Sequence, residues 1–337
     1  MNPVLVTPFP RQREVFKVQH LPFLARLYRY AYHQPTTSRT RIRFMRVLRK
    51  IFPVYRRLCR SSVGKFEYRR QGRRLPILFD ARNVQFHALY VPLYGFEPDV
   101  GAVLDALLQE GATFFDIGSN WGYFSLYTAS KFSRLTVHAF EPMPETYQDL
   151  AGCVNQAGLS DTVTCHNIAL SDADGNAFID MADGLHSGTA RVSREGGSIH
   201  IVTRRLDSLN LPPPDIIKMD VEFHELEVLK GAGEMLGAAR PFIVFENKAN
   251  YLQPEKALDV LFFLSQMGYR LYVPAVQRRQ ARDYFIQPWW HPIGDGESLA
   301  LVPFKPEERL LYQHELIVFA CHDSRQQALM SVFKVWP

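Results

Sequence analysis

Five residues after a short apolar run carry the first chemistry of this chain: Asp116, Gly118, Ser119, Asn120 and Gly122, in a D-x-G-x-N-x-G turn. A second apolar run follows a helical stretch and ends in Glu141, nineteen residues after Gly122. That spacing places an acid where the second strand of a nucleotide-binding α/β unit ends, in reach of two ribose hydroxyls. A pyrophosphate would need uncontested backbone N–H groups at the helix start. The Asp116 carboxylate opposes an anion there and suits a cation or a polar amine. A ribose without phosphate, beside a positive charge, points to S-adenosylmethionine as the cofactor.

Further polar residues stand where later strands should end: Asn167 to Ala169, then Asp220-Val221-Glu222, then Glu246-Asn247. Core strands have no reason to end in carboxylates, because buried unpaired charge is costly. Capping of the following helices accounts for one or two such acids, not for all four. Methyl transfer from a sulfonium is an in-line displacement that depends on orientation. A hydroxyl acceptor also needs a base within hydrogen-bond reach. The candidate catalytic residues are Asp220, Glu222, His224 and Glu246, with His186 in the Gly184–Gly188 loop as a rival. Asp220 with Glu246-Asn247 also resembles the oxygen set that some catechol-type O-methyltransferases offer magnesium. A divalent metal is therefore admitted, but hydrogen bonding to acceptor or loop backbone is preferred and no metal ligand is assigned.

The elements that must carry these residues alternate. Helices are expected over Asp99–Leu108, Pro144–Ala157, Glu225–Leu236 and Gln253–Met267. Strands are expected from Thr113, then over Leu135–Phe140, Thr162–Ala169, Asp215–Asp220, Pro241–Phe245 and Tyr269–Val273, with Ser298–Pro303 or Leu316–Ala320 as the seventh. Asp183–Gly197 reads as a glycine-rich loop region. The fold class is α/β, a Rossmann-like doubly wound, mostly parallel seven-stranded sheet with right-handed crossovers. Ligands of such sheets bind at the carboxyl ends of the strands. Tyr284, Trp289 and Trp290 offer faces for a sugar ring or for ordinary packing.

Charge is unevenly placed. The chain holds 39 Lys and Arg against 34 acids, yet residues 1–75 hold nineteen of the bases and only Glu14 and Glu67 as acids. Ile42, Met45, Leu48 and Phe52 follow helical spacing, so Thr40 to about Leu58 reads as a basic amphipathic helix broken near Pro53. A packed cap on the acidic body is one reading; attachment of residues 24–60 to an anionic membrane surface is the other. The expected division is a basic, largely helical extension over 1–75 and a catalytic domain over 76–337. No apolar run approaches a membrane span. The four cysteines lack CxxC spacing, which fits a reducing, cytoplasmic setting, with the membrane's inner face as a peripheral site.

The blocks FDIGSNWGYFSL, HAFEP, CVNQAGLSDTVTCHNIALSD, RRLDSL, IIKMDVEFHELEVLKGA and RPFIVFEN resemble the FkbM-type methyltransferases over roughly residues 96–303. The resemblance implies a class I S-adenosylmethionine-dependent fold and methyl transfer to a hydroxyl of a glycan, glycolipid or secondary metabolite. It implies that Asp116, Gly118, Ser119, Asn120 and Gly122 form the cofactor loop. It also implies that Glu141 binds ribose, Asn167 to Ala169 border the adenine, and Asp220 lies near the methyl group. Phe223 stands where the family has glycine, at a position open to close approach or positive φ. A fold retained for binding alone, attached through the basic segment, is the competing function. Nucleic acid is disfavoured as a partner: no binding module accompanies the charge, and DVEFHE replaces the N-P-P-aromatic segment of base N-methyltransferases.

Overall fold

The computed structural model describes residues 3–9, 15–32, 43, 46–47, 51, 54, 62–83, 86, 88–89, 96–181, 190–193, 196–197, 199–249, 254–277, 284–285, 296–312 and 315–335. The large sheet contains, in chain order, β1 (Leu5–Pro8), β2 (Thr113–Ile117), β3 (Thr136–Phe140), β4 (Val163–His166), β5 (Ile216–Met219), β6 (Phe242–Asn247), β7 (Tyr269–Gln277), β8 (Ser298–Phe304), β9 (Leu316–His322) and β10 (Lys334–Val335). The helices used below are α1 (Phe23–Tyr32), α2 (Pro98–Leu107), α3 (Tyr123–Lys131), α4 (Pro144–Gln156), α5 (Glu225–Lys230), α6 (Gly233–Ala239) and α7 (Pro254–Gln266).

Across the sheet the order is β10-β1-β8-β7-β9-β6-β5-β2-β3-β4, with Tyr284–Phe285 as an eleventh strand beside β7. The run β4-β3-β2-β5-β6 is parallel. Neighbouring residues of one strand point to opposite faces: Phe114 joins the core beneath α2, α3 and α4, and Phe115 the core beneath α5, α6 and α7. Both faces are thus covered, as a buried parallel sheet requires. Chain order reverses between β2 and β5, so a crevice opens above their carboxyl ends. Asp116 and Asp220 stand at that crevice.

Among the described residues, the expected mostly parallel, seven-stranded sheet is corrected to a mixed one of eleven strands. Both segments proposed for the seventh strand are strands: β9 inserts antiparallel between β6 and β7, and β8 pairs antiparallel with β7. Leu5–Pro8 then extends the edge beside β8. The expected third strand stops at His166, and Ala169–Leu170 leaves for a four-stranded second sheet with Gly175–Met181, Ala190–Ser193 and Ile199–Arg204. Strand therefore occupies part of the expected glycine-rich loop. The expected helix Glu225–Leu236 breaks into α5 and α6, where Gly231 lies against Ser171 so closely that a Cβ would meet its carbonyl oxygen at 1.9 Å.

The N-terminal segment is strand as well as helix. Phe16–His20, Val63–Arg70 and Arg73–Asp80 form a three-stranded sheet, so residue 75 falls inside a strand rather than at a boundary. This sheet packs on the start of α3 through aromatic rings: Phe16 lies 4.9 Å from Tyr123 and meets Trp121, just ahead of the helix, edge-on at 5.7 Å. The Tyr68 hydroxyl and Arg70 Nε donate to the carbonyls of Leu126 and Ala129. Of the expected helix Thr40–Leu58, only Arg43, Arg46, Val47, Ile51 and Val54 are described; each is helical and exposed.

Candidate active site

The D-x-G-x-N-x-G turn is a rigid cradle built from its own backbone. Gly118 N and Ser119 N both donate to Phe140 O at 3.0 Å, and Ser119 Oγ does so at 3.3 Å. Gly118 has φ +71, and a Cβ there would lie 1.9 Å from Asp220 O. Only glycine lets this loop press against the residue that follows β5. Asn120 adopts φ +53 and accepts from Trp121 N through Oδ1 at 2.9 Å, a local bond that eases the left-handed conformation. Gly122, at φ +93, is the N-cap of α3.

Glu141 binds this cradle directly. Its Oε2 accepts from Asn120 N at 3.0 Å and its Oε1 from Met143 N at 2.9 Å. Burial pushes its carboxyl up to about 7, against those two backbone bonds. Each oxygen keeps a lone pair for a hydroxyl donor. Asn167 Nδ2 donates to Glu141 O and Pro142 O, tying the β4 tip to the β3 tip. Ala169 is buried at the start of the second sheet.

Asp116 is fully buried, and the amine it meets belongs to the chain itself. Its Oδ2 accepts from Ser125 Oγ at 2.6 Å, and its Oδ1 faces Lys218 Nζ at 3.5 Å. Lys218, 5% exposed on β5, also donates to Gly118 O at 3.1 Å. Burial lowers the Lys218 pKa, but Asp116, Asp220, Glu97 and Glu246 outweigh it and hold the amine charged. Asp116 is therefore an anchor beneath the loop. The sequence offered a signal for this pair: a lysine inside the apolar strand IIKM cannot be buried without a carboxylate.

Above the β5 and β6 tips, oxygen atoms of Asp220, Glu222 and Glu246 all lie within 4.8 Å of one another. Lys248 joins them, 2.7 Å from Glu222 Oε1 and 3.0 Å from Glu246 Oε2. Burial and the charge of Asp220 push the Glu246 carboxyl well above the usual range. Burial also raises Glu222, with Lys248 opposing. An ammonium thus already supplies counter-charge among these acids. Asn247 does not join them: neighbours on a strand face opposite ways. Its Oδ1 accepts from the fully buried Arg309 at 2.5 Å, and its Nδ2 donates to Ala257 O at 3.1 Å.

His224 stands at the start of α5 with Nε2 3.0 Å from Ser171 Oγ and Nδ1 3.8 Å from Glu227. Both ring nitrogens thus have partners outside the carboxyl group cluster. His186, Trp289 and Trp290 lie outside the described residues. Phe223 takes φ +71 directly after Glu222 at φ +51. The turn keeps the left-handed backbone that glycine would allow, at a cost on the order of 1–2 kcal/mol per residue. Its ring lines a small pocket with Glu225, Lys248, Lys256 and Val260. Glu97, Asn120, Glu222 and Phe223 are four positive-φ residues gathered round one crevice, the clustering expected where backbone strain serves a site. Sequence reasoning missed Glu97 and Lys248 as well as Lys218; an acid before Pro98 carries no periodic signal.

The donor set fits S-adenosylmethionine. Glu141 keeps acceptor lone pairs beside the loop, and the acids around the crevice favour a cation.

Comparison with known proteins bears on the same residues. The family model described as "Methyltransferase FkbM domain" matches residues 99–271. The chain is similar to the hexuronic acid methyltransferase AglP of Haloferax volcanii, 34% identical over 154 residues, which cover 44% of this chain. It spans 62% of the length of that curated relative. Among solved structures it is similar to a methyltransferase FkbM from Methylobacillus flagellatus KT, with TM-score 0.36 and 18% identity over 58% of this chain and 45% of that one. It is also similar to a SAM-dependent O-methyltransferase from Thermotoga maritima, with TM-score 0.36 and 15% identity over 76% and 77% of the two chains.

Proposed function

Because the chain belongs to the methyltransferase FkbM family, we propose that it transfers a methyl group from S-adenosylmethionine to a hydroxyl of a glycan, glycolipid or secondary-metabolite acceptor. The observation that carries this reading is the junction of two loops: Gly118 packed on Asp220 O, with Glu141 clamped to Asn120 on one side and the Asp220/Glu222/Glu246 carboxyls on the other. The cofactor supplies an electrophilic methyl when bound.

In this reading Glu141 accepts both ribose hydroxyls and Asn120 shapes the loop around them. The Asn167–Ala169 segment borders the adenine, and Asp220 lies beside the methionine portion. Gly118, Ser119 and Gly122 set the course of the loop that presents Asn120 to the ligand. The acceptor lies over Glu222 and Glu246. Glu246 takes the hydroxyl proton, because a raised carboxyl is the stronger base near neutral pH. Lys248, bonded to both Glu222 and Glu246, holds the pair in place. His224 is a second candidate for the proton.

The similarity to AglP directs the first acceptors to uronic-acid sugars and their glycans. The test is incubation with methyl-labelled cofactor and glucuronate- or galacturonate-bearing glycans, followed by mass spectrometry. A gain of one methyl at a hydroxyl is the expected result. Methylation of nitrogen alone, or of no hydroxyl across sugars, glycolipids and polyketide-like alcohols, counts against the reading.

An anionic membrane surface is the second proposed partner, through residues 24–60. Val47, Ile51 and Val54, at 53%, 42% and 55% exposure, stand at helical spacing in the sequence with the exposed Arg43 and Arg46. No helix of the described residues is long and apolar enough to cross a membrane. Flotation with phosphatidylglycerol vesicles is expected to carry the protein, flotation with phosphatidylcholine alone is not, and Ile51→Asp should release it. Failure to float with the anionic vesicles at low salt disproves the attachment.

A further inference from the structure

Between the N-terminal three-stranded sheet and α4 lies a cleft of about 320 Å³, lined by none of the acids at the tips of the large sheet. Small-molecule sites begin at about 300 Å³. One wall is the strand Arg73–Asp80 with the start of Val63–Arg70. The other is a side of α4, where Gln148, Asp149, Gly152 and Gln156 recur at helical spacing. Gln156 fixes the two walls together: its Oε1 accepts from Leu78 N at 2.8 Å and its Nε2 donates to Leu78 O at 3.0 Å. Asn83 Nδ2 donates to Asp149 Oδ2 and makes a second tie. Specific bonds thus hold the cleft in shape.

Gly152 opens it. The residue lies inside α4 without a left-handed φ, and a Cβ placed there would meet nothing within 4 Å. Neither a turn nor a close backbone approach requires glycine here, and alanine suits a helix interior better. What the missing side chain leaves is room in the cleft.

The lining narrows the chemistry of an occupant. Arg82 Nε donates to both carboxylate oxygens of Asp80 at 2.9 Å, so a guanidinium and a carboxylate stand side by side with further donors and acceptors. Asp149 and the exposed amide of Gln148 add more from α4. Val63 and Leu78, both about half exposed, add apolar surface on the strand wall. Asp80 and Asp149 against Arg82 leave one negative charge in excess, which disfavours a phosphate, a sulfate or a uronate. A neutral ring with hydroxyls on its edge and C–H groups on its face matches both kinds of wall.

We propose that this cleft is a second sugar-binding site, which takes a neutral hexose unit and so holds the acceptor glycan at a point separate from the methyl-transfer crevice. This rests on the glycan reading of the acceptor made above and adds to it a recognition element from the N-terminal sheet. Phe86 lines the cleft and stacks on Trp121 at 4.9 Å, next to Asn120, so cleft and cofactor loop share one aromatic stack.

The test is saturation-transfer NMR on the full chain with the methyl glycosides of glucose, galactose, mannose and N-acetylglucosamine, and with glucuronate as the charged control. At least one neutral glycoside is expected to give a signal, stronger than that of glucuronate. Gly152→Phe fills the cleft and is expected to cut this signal at least fivefold, with melting temperature and S-adenosylmethionine affinity unchanged. No signal from any neutral glycoside on the wild type overturns the proposal, as does an equal signal in the variant. A signal kept in Gly152→Phe but lost in Glu246→Gln puts the sugar in the crevice and also overturns it. Sugar binding lost in Gly152→Phe, without methyl transfer to any glycan, overturns the acceptor reading and leaves the sugar site standing. If Gly152→Phe does not fold, Gly152→Leu decides by the same readings.

Discussion

Lys218→Met is expected to destabilise the protein by about 3–5 kcal/mol, the usual cost of leaving one member of a buried ion pair unpaired. The pair is among the most deeply buried charges in the core: Asp116 is 0% and Lys218 5% exposed, and they sit 3.5 Å apart. Removing the amine leaves Asp116 with Ser125 Oγ as its hydrogen-bond donor among the described residues. It also cuts the bond from Lys218 Nζ to Gly118 O, which ties β5 to the cofactor loop. The loss should therefore appear twice, in urea unfolding followed by tryptophan fluorescence and in weaker cofactor binding by the folded fraction. The double variant Lys218→Met/Asp116→Asn removes both charges and is expected to regain more than half of the stability. A loss within about 0.5 kcal/mol for the single variant, the range of ordinary surface changes, would refute the anchoring role.

The second large effect is expected at Glu141. Hydrogen bonds to a charged group contribute about 1.5–3 kcal/mol. Glu141→Gln should therefore weaken S-adenosylmethionine binding by roughly 10- to 150-fold, with calorimetry as the measurement. Because Gln keeps one carbonyl oxygen for Asn120 N or Met143 N, the cradle should survive and the melting temperature change little. The pH dependence has a definite sign. Burial pushes the Glu141 carboxyl up to about 7, so its neutral form accumulates below that value. A neutral carboxyl is the weaker acceptor for ribose hydroxyls, and wild-type affinity should fall as pH drops from 8 to 6. In Glu141→Gln that part of the slope should vanish. Cofactor affinity equal to wild type across this range would remove Glu141 from the site.

Periodicity placed the parallel strands and the helices between them within a few residues, because each buries a continuous apolar run against a face whose period the sequence repeats. It did not reveal the antiparallel half of the sheet. Leu5–Pro8 is four residues long, and it is held extended by pairing with β8 and β10, both far away along the chain. Ser298–Phe304 and Leu316–His322 looked equivalent in sequence; only the pairing β6-β9-β7 shows which one inserts. The second sheet was hidden by glycines and polar residues that a loop also uses.

The sequence by itself determined the doubly wound core, the glycine turn after its first strand, and the acids at the tips, because these follow from local periodicity, backbone freedom and the cost of burying charge. Tertiary structure alone decided how those acids are used. Asp116 turned inward to a lysine from another strand, Asn247 was taken by Arg309, and His224 by Ser171. A buried charge is governed by whichever opposite charge or hydrogen-bond partner lies within a few ångströms, and that proximity is a property of the packed chain, not of spacing along it.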